Sequence, residues 1–261
     1  DLAAEAITSK TRLVVPVHIY GLPVDMDPIM NKVAGTQTFV LEDAAEALGV
    51  DYNGSHCGAI GNAGIFSFYA NKVVTGGEGG AVATNDAVFA ERVRYFRNLC
   101  FNPKQRFVHE DLGWNARLSG MPATLIASQL QRLDRLVEKK INIAQRYLSG
   151  LAGHPWLDFH PPSTVFSTNT YWVFGVVLKE DAPFDAEELQ QELRALGVDT
   201  RRFFCPVHLQ PLAKKYPITT FGEMSVSEKL WNRGIYLPSG LGNTTEEFDA
   251  VIEAMWRLVK K

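Results

Sequence analysis

Thr38-Phe39-Val40-Leu41 runs directly into Glu42-Asp43-Ala44-Ala45-Glu46-Ala47-Leu48-Gly49. The first four residues are apolar or β-branched and read as a buried strand, and the acids that follow end it. Upstream, Arg12 to Tyr20 reads as another buried strand, with Leu13, Val14, Val15, Val17 and Ile19. Pro16 cannot donate to a ladder, so it favours an edge or the end of that strand. Asp27-Pro28 opens a short helix through about Val33, with proline at its first position. A helix of crossover length between two strands predicts a parallel pair. Ile65 to Tyr69 and Gly80 to Thr84 read as third and fourth strands. The pattern predicts an α/β chain with a mostly parallel sheet, and ligand sites where its strands end.

Further along, Asn85-Asp86 can cap a helix to about Leu99. A long helix is predicted after Pro122, with Ile126, Leu130, Leu133, Val137, Ile141, Ala144 and Leu148 on its apolar face, ending near Gly150. Proline and small polar residues from Pro155 to Asn169 lead into a second region. There Tyr171 to Leu178 reads as a strand. Asp185 with Glu188 forms a capping box for a helix that stops at Gly197. Thr244 with Glu247 caps a last helix, whose buried face is Phe248, Val251, Ile252, Met255 and Val259. The expected division is 1–134 for a large domain and 135–261 for a smaller α+β domain, with the helix from about 122 bridging them.

The chain has 261 residues, ample for a core, and a formal net charge of −3. That balance argues against nucleic-acid or anionic-membrane partners held by charge. The tightest basic clusters, Lys139-Lys140, Arg201-Arg202 and Lys260-Lys261, are too short for a phosphate-binding stripe. Three cysteines, Cys57, Cys100 and Cys205, form no CxxC pair, so a reducing cytoplasm is expected. Asp1 to Thr11 lacks the apolar segment of a signal peptide. No apolar stretch reaches the ~20 residues that a membrane helix requires.

The chemistry gathers around Phe66-Ser67-Phe68-Tyr69-Ala70-Asn71-Lys72 and the glycine-rich Thr75-Gly76-Gly77-Glu78-Gly79-Gly80. A lysine, an earlier aspartate and a serine five residues before it match the needs of a pyridoxal phosphate (PLP) site. The Lys72 amine can bond the cofactor aldehyde, and Asp43 can pair with the protonated pyridine nitrogen. Ser67 can donate to the phosphate. Taken singly, each residue has a plainer reading: Lys72 as a solvated lysine, Asp43 as a strand end or helix cap, and Gly76–Gly80 as a tight turn. The glycine stretch lacks the GK[ST] ending of a P-loop. His18, His56, His109 and His208 have no metal-ligand spacing, so no metal site is expected, and no G-x-S-x-G occurs. Trp114, Tyr171 and Trp172 read as core aromatics.

The combination is more specific than its parts. Val17-His18-Ile19-Tyr20-Gly21, Glu42 to Gly49, Phe66 to Lys72 and Gly113-Trp114-Asn115-Ala116-Arg117 occur in this order. Pro206-Val207-His208-Leu209-Gln210-Pro211 and Leu237-Pro238-Ser239-Gly240-Leu241 extend the match. The chain thereby resembles the DegT/DnrJ/EryC1/StrS family of PLP-dependent nucleotide-sugar aminotransferases along essentially its whole length. It is most similar to the GDP-perosamine synthase-like branch. The resemblance implies PLP fold type I, like aspartate aminotransferase. It implies that Lys72 carries the cofactor, that Asp43 holds the ring nitrogen and that Glu46 sits beside the ring. It further implies that Ser67 binds the phosphate, that Asn115 reaches the phosphate of a neighbouring subunit in a homodimer, and that His208 lines the sugar pocket.

The implied reaction moves an amino group from glutamate to a nucleotide-linked keto-sugar, for surface polysaccharide or glycoside biosynthesis. A branch of the family with histidine at the lysine position deoxygenates instead, and Lys72 argues against it. Relatives carry a further segment before the position of Asp1, with a G-T-[TS]-A phosphate loop that this chain lacks. The large-domain sheet is therefore expected to be incomplete, with a bare edge at the Arg12–Tyr20 strand and exposed apolar surface. That departure keeps open a second reading, a non-catalytic PLP or sugar-nucleotide binder or regulator descended from these enzymes. The sugar, the nucleotide and the keto position are not fixed by the residues.

Overall fold

After a short helix, α1 (Leu2–Ala6), the first strand is only Leu13–Val14 (β1). The computed structural model describes residues 2–216 and 218–259, so the Lys260-Lys261 pair lies outside the described residues. The expected strand through Tyr20 is cut short at Pro16, which has no N–H for the ladder. Pairing resumes only as a bridge of Val17 to Asp43, where the Asp43 N–H donates to the Pro16 carbonyl. The chain divides into two compact units. One is Ile7–Val137 with Val165–Thr168; the other is Asp1–Ala6, Glu138–Thr164 and Asn169–Lys261.

In the first unit, α2 (Met26–Val33) crosses over to β2 (Phe39–Asp43), and β1 and β2 are parallel as expected. A hairpin of β3 (Asp51–Tyr52) and β4 (Ser55–His56) follows, turning on Asn53 and Gly54, both with positive φ. β5 (Ala63–Ser67) pairs parallel to β2, and β6 (Gly80–Ala83) runs antiparallel to β5. The sheet order is β1-β2-β5-β6, with β1 at an edge. Beside that edge, Leu13, Val15, Val17 and Ile19 are exposed. The core of this unit packs Met26, Ile29, Val33, Val40 and Val50 under one face of the sheet. α3 (Ala87–Arg97) starts on the expected cap, where Asp86 accepts the Val88 and Phe89 N–H groups. Trp114 is 64% exposed, against its reading as a core aromatic, whereas Tyr171 and Trp172 are buried.

The single long helix is in fact two, α4 (Gly120–Leu130) and α5 (Leu133–Gly150). At the break, the Arg132 N–H turns to the Gln129 carbonyl, and the Arg132 side chain takes the Ser128 carbonyl that a continuing helix would use. The face of α5 that is buried carries Lys140, Ile143, Ala144 and Tyr147, while Leu133, Val137, Ile141 and Leu148 are half-buried.

The second unit builds an antiparallel sheet of order β7-β8-β10-β9, from β7 (Leu157–Phe159), β8 (Phe174–Leu178), β9 (Arg201–Arg202) and β10 (Gly234–Leu237). Both expected capping boxes form. Asp185 and Glu188 exchange bonds at the start of α6 (Ala186–Ala195), and Thr244 and Glu247 do so before the last helix. α7 (Ser225–Arg233) leads into β10, and α8 (Thr245–Val259) closes the unit. The buried face of α8 is Phe248, Val251, Ala254, Met255 and Leu258, one position away from the expected stripe at Ile252 and Val259. Tyr147, Phe174, Leu189, Leu193, Ile235 and Met255 form the centre of this core.

Candidate active site

β2 and β5 are parallel, so both end at the same side of the sheet. Asp43 is the last residue of β2, and Lys72 follows β5 by one short turn in which its N–H donates to the Tyr69 carbonyl. That turn is held from behind. Phe68 exchanges backbone bonds with Gly79 and Gly76, and Thr75 is gripped by both ends of the Gln129 amide. The glycine-rich stretch thus acts as a tight turn into β6, and it also fixes the segment that carries the lysine.

The Lys72 Nζ lies 3.6 Å from Glu46 Oε1, with both side chains largely buried. The other Glu46 oxygen accepts the Tyr20 N–H at 3.0 Å. Burial pushes the Lys72 amine down from its ordinary pKa, and the Glu46 and Asp43 charges offset this only in part. Burial likewise pushes the Glu46 carboxyl up, against the Tyr20 N–H and the Lys72 amine. Both shifts narrow the gap between an ion pair and a neutral pair. Asp43 acts electrostatically on both, and its Oδ1 accepts the Ala45 N–H. No helix follows Asp43. Residues 44–50 make two successive turns, closed by Ala47 N–H to Ala44 O and Val50 N–H to Ala47 O.

Glu42, beside Asp43 in sequence, points to the opposite face and is fully buried. Its Oε2 accepts from His18 Nε2 at 3.0 Å and Gly58 N–H at 2.7 Å, and its Oε1 from the Ile60 and Gly61 N–H groups at 2.6 Å each. Burial alone would push this carboxyl up, but His18 and the three backbone donors outweigh it and hold it below the ordinary range. The loop can lie this close because glycines meet there: a Cβ on Gly64 would fall 2.2 Å from the Gly58 carbonyl oxygen. Neither Glu42 nor His18 stands out as a site residue in the sequence, beyond its place in a motif.

Ser67 closes β5, and its hydroxyl accepts the Tyr69 N–H. Asn115 is exposed, bridges to Asn98 and accepts from the Arg117 guanidinium at 3.0 Å. His208 belongs to the second unit, where its Nε2 lies 2.9 Å from Glu228 Oε1. Asp43, Glu46 and Lys72 thus come together, with Ser67 on the same strand-and-turn segment as Lys72. Among the described residues, no group of three His, Cys, Asp or Glu side chains could hold a metal ion. No helix among them is long and apolar enough to cross a membrane.

The chain belongs to the DegT/DnrJ/EryC1/StrS aminotransferase family, which it matches over residues 1–256. It is 32% identical over 249 residues to a GDP-perosamine synthase of Caulobacter vibrioides, an alignment covering 95% of this chain and 66% of that protein. It is 39% identical over 212 residues to the dTDP-3-amino-3,4,6-trideoxy-alpha-D-glucose transaminase of Streptomyces venezuelae, covering 80% of this chain and 54% of that one. Among solved structures, S. venezuelae DesV superimposes with a TM-score of 0.86 at 33% identity, covering 99% of this chain and 68% of DesV. The chain therefore spans just under two thirds of the length of the first of these relatives.

Proposed function

We propose that this chain carries the reactive lysine of a PLP-dependent aminotransferase that moves an amino group from glutamate to a nucleotide-linked keto-sugar. The observation that carries this reading is the half-buried Lys72 amine set against Glu46 and Asp43 at the carboxyl ends of parallel strands. The donor set fits the cofactor. Lys72 offers an amine whose pKa burial lowers, Asp43 a carboxylate with lone pairs to spare beyond the Ala45 N–H, and Ser67 a hydroxyl. In this reading Lys72 would hold the cofactor by its aldehyde, Asp43 by its ring nitrogen and Ser67 by its phosphate, with Glu46 beside the ring.

Bound pyridoxal phosphate would supply an aldehyde and an electron-withdrawing ring. The chain supplies the rest. Lys72 Nζ takes up and returns a proton at the substrate carbon, as a positioned acid and base. Glu46 keeps a carboxylate 3.6 Å from that amine. Asp43 would offer a carboxylate oxygen to the ring nitrogen. His208 lines the sugar pocket, and Asn115 reaches the phosphate of a second copy in a homodimer. Its exposure beside exposed Trp114 and Leu112 supports that placement. The reading sets the protein in the cytoplasm, which the three unpaired cysteines support.

The test is a single half-reaction. The chain is loaded with pyridoxal phosphate, and its visible absorbance is followed after glutamate is added. Conversion of the cofactor band with release of 2-oxoglutarate is expected. A chain that holds the cofactor and shows no conversion is a binder, and the aminotransferase reading fails.

A further inference from the structure

We propose that Glu42 and His18 are positioning residues, whose buried pair fixes the loop that aims the Tyr20 N–H at Glu46 and so holds the Glu46 carboxylate against Lys72. This rests on the reading of Lys72 as the reactive amine.

The hydrogen bonds form one continuous path. Val24 N–H donates to His18 Nδ1 at 3.1 Å, so Nδ1 is an acceptor. Nε2 then carries the ring proton and donates it to Glu42 at 3.0 Å. The imidazole is a bracket with two defined ends. Its own backbone N–H is tied to the Asp43 carbonyl. The chain between the two His18 anchors must therefore turn back within six residues. It does so with Tyr20 at φ 57° and Gly21 at φ 95°. A left-handed tyrosine costs energy and persists only where its surroundings enforce it. Enforced, it turns the Tyr20 N–H onto Glu46 Oε2, leaving Oε1 for Lys72.

Glu42 anchors the path. Four donors converge on one carboxylate with no exposure to water, and three of them are backbone groups of the 58–61 loop. Removing that charge strands several buried donors and releases His18. Relaxation of the 18–24 turn would take the Tyr20 N–H from Glu46. A Glu46 carboxylate without that donor holds its negative charge less well, and it then supports a protonated Lys72 less. Among the described residues, the charges that act on Lys72 include Glu46 and Asp43, and Asp43 keeps its own Ala45 anchor.

The experiment reads Lys72 in the cofactor-free chain. Lysine amines are trace-labelled with acetic anhydride from pH 6 to 10, and the Lys72 peptide is quantified by mass spectrometry against exposed lysines. Three variants are compared with wild type. His18→Asn keeps an acceptor for Val24 and loses Glu42. His18→Gln keeps a donor for Glu42 and loses Val24. Glu42→Gln removes the charge. Each should make Lys72 label about threefold to tenfold faster near neutral pH, the size of one ordinary hydrogen bond, because the lost Tyr20 donor reaches the amine only through Glu46. Glu46→Gln should do the same and should abolish any further effect of the His18 variants. Unchanged Lys72 titration in folded His18 variants overturns the proposal. So does an undiminished His18 effect in the Glu46→Gln background. If Glu42→Gln fails to fold, the two His18 variants carry the test. Cofactor binding is scored separately. A titration that shifts as expected in a chain that never bonds pyridoxal phosphate would sink the proposed function and leave the positioning intact.

Discussion

Replacing Lys140 by methionine should change the pH dependence of stability in a defined direction. Lys140 lies on the buried face of α5 and is 4% exposed. Its Nζ donates to the Ser239 carbonyl at 2.5 Å and to the Ser239 hydroxyl at 3.1 Å, and no carboxylate is among these partners. Burial pushes its pKa from the usual 10.5 down to about 7. The unfolded chain keeps this proton up to about pH 10.5, whereas the folded chain gives it up near pH 7. Between those values the unfolded state binds more protons, so the lysine's penalty shrinks as pH rises. Each pKa unit is worth ~1.4 kcal/mol, and the Ser239 bonds return part of it, so ~2–4 kcal/mol of penalty should disappear between pH 7 and pH 10. Lys140→Met has no such group. Its stability advantage over wild type, or its deficit from the lost Ser239 bonds, should move in favour of wild type by that amount. Urea unfolding of both proteins at unit pH steps, read by tryptophan fluorescence, gives the difference directly, because all other groups cancel. Parallel curves from pH 7 to pH 10 would refute the argument and mean that Lys140 stays charged in the folded chain.

Other outcomes are equally open to measurement. Lys72→Ala should lose the visible cofactor band and all transamination while melting near the wild-type temperature; a variant that still turns over shows the lysine to be misassigned. Asp43→Asn should slow the glutamate half-reaction by one to two decades, the worth of a charge-assisted bond of ~1.5–3 kcal/mol; wild-type rates would remove Asp43 from that role. Exhaustive chelation should leave activity unchanged, and restoration by zinc after its loss would contradict the cofactor reading.

What the sequence disclosed follows from which signals are local. The caps at Asp86, Asp185 and Thr244 were legible because each depends on residues within one turn. The parallel β1-β2 pair was legible from a crossover helix between two apolar runs. Periodicity failed along the long helical stretch, which breaks in two and whose second half buries a different face from the most apolar one. The apolar stripe drawn through α4 and α5 runs past Gln131-Arg132, and the helix instead buries Lys140. Lys139 and Lys140 looked like a short basic cluster. In the structure they clamp the turn after β10 by the Leu241 and Ser239 carbonyls, joined by Tyr147 on the Pro238 carbonyl. Burial of a cation depends on what lies across the core, which no local window contains. The β3-β4 hairpin passed unread although Asn53-Gly54 is a strong turn signal.

Glu42 and Asp43 show how one strand can divide structure from chemistry. They are adjacent and carry the same charge, yet the pleat sends them to opposite faces. Val40 and Glu42 share the inward face with the core, and Asp43 lies with Phe39 and Leu41 on the other. An acid on the inward face of a buried strand has no water to solvate it. It is tolerable only where donors are built around it, and here four are. The expense is structural, but what it fixes is not confined to structure. The donors come from the 58–61 loop and from His18, and His18 shapes the turn whose Tyr20 N–H reaches Glu46. The neighbouring Asp43, half-exposed at the strand end, is left to act on Lys72 and Glu46 from the open side. Exchanging the two faces by a one-residue slip would bury Asp43 without donors and expose Glu42 to none. The register of β2 against β1 and β5 is therefore fixed by where each acid can survive, as well as by the apolar residues between them.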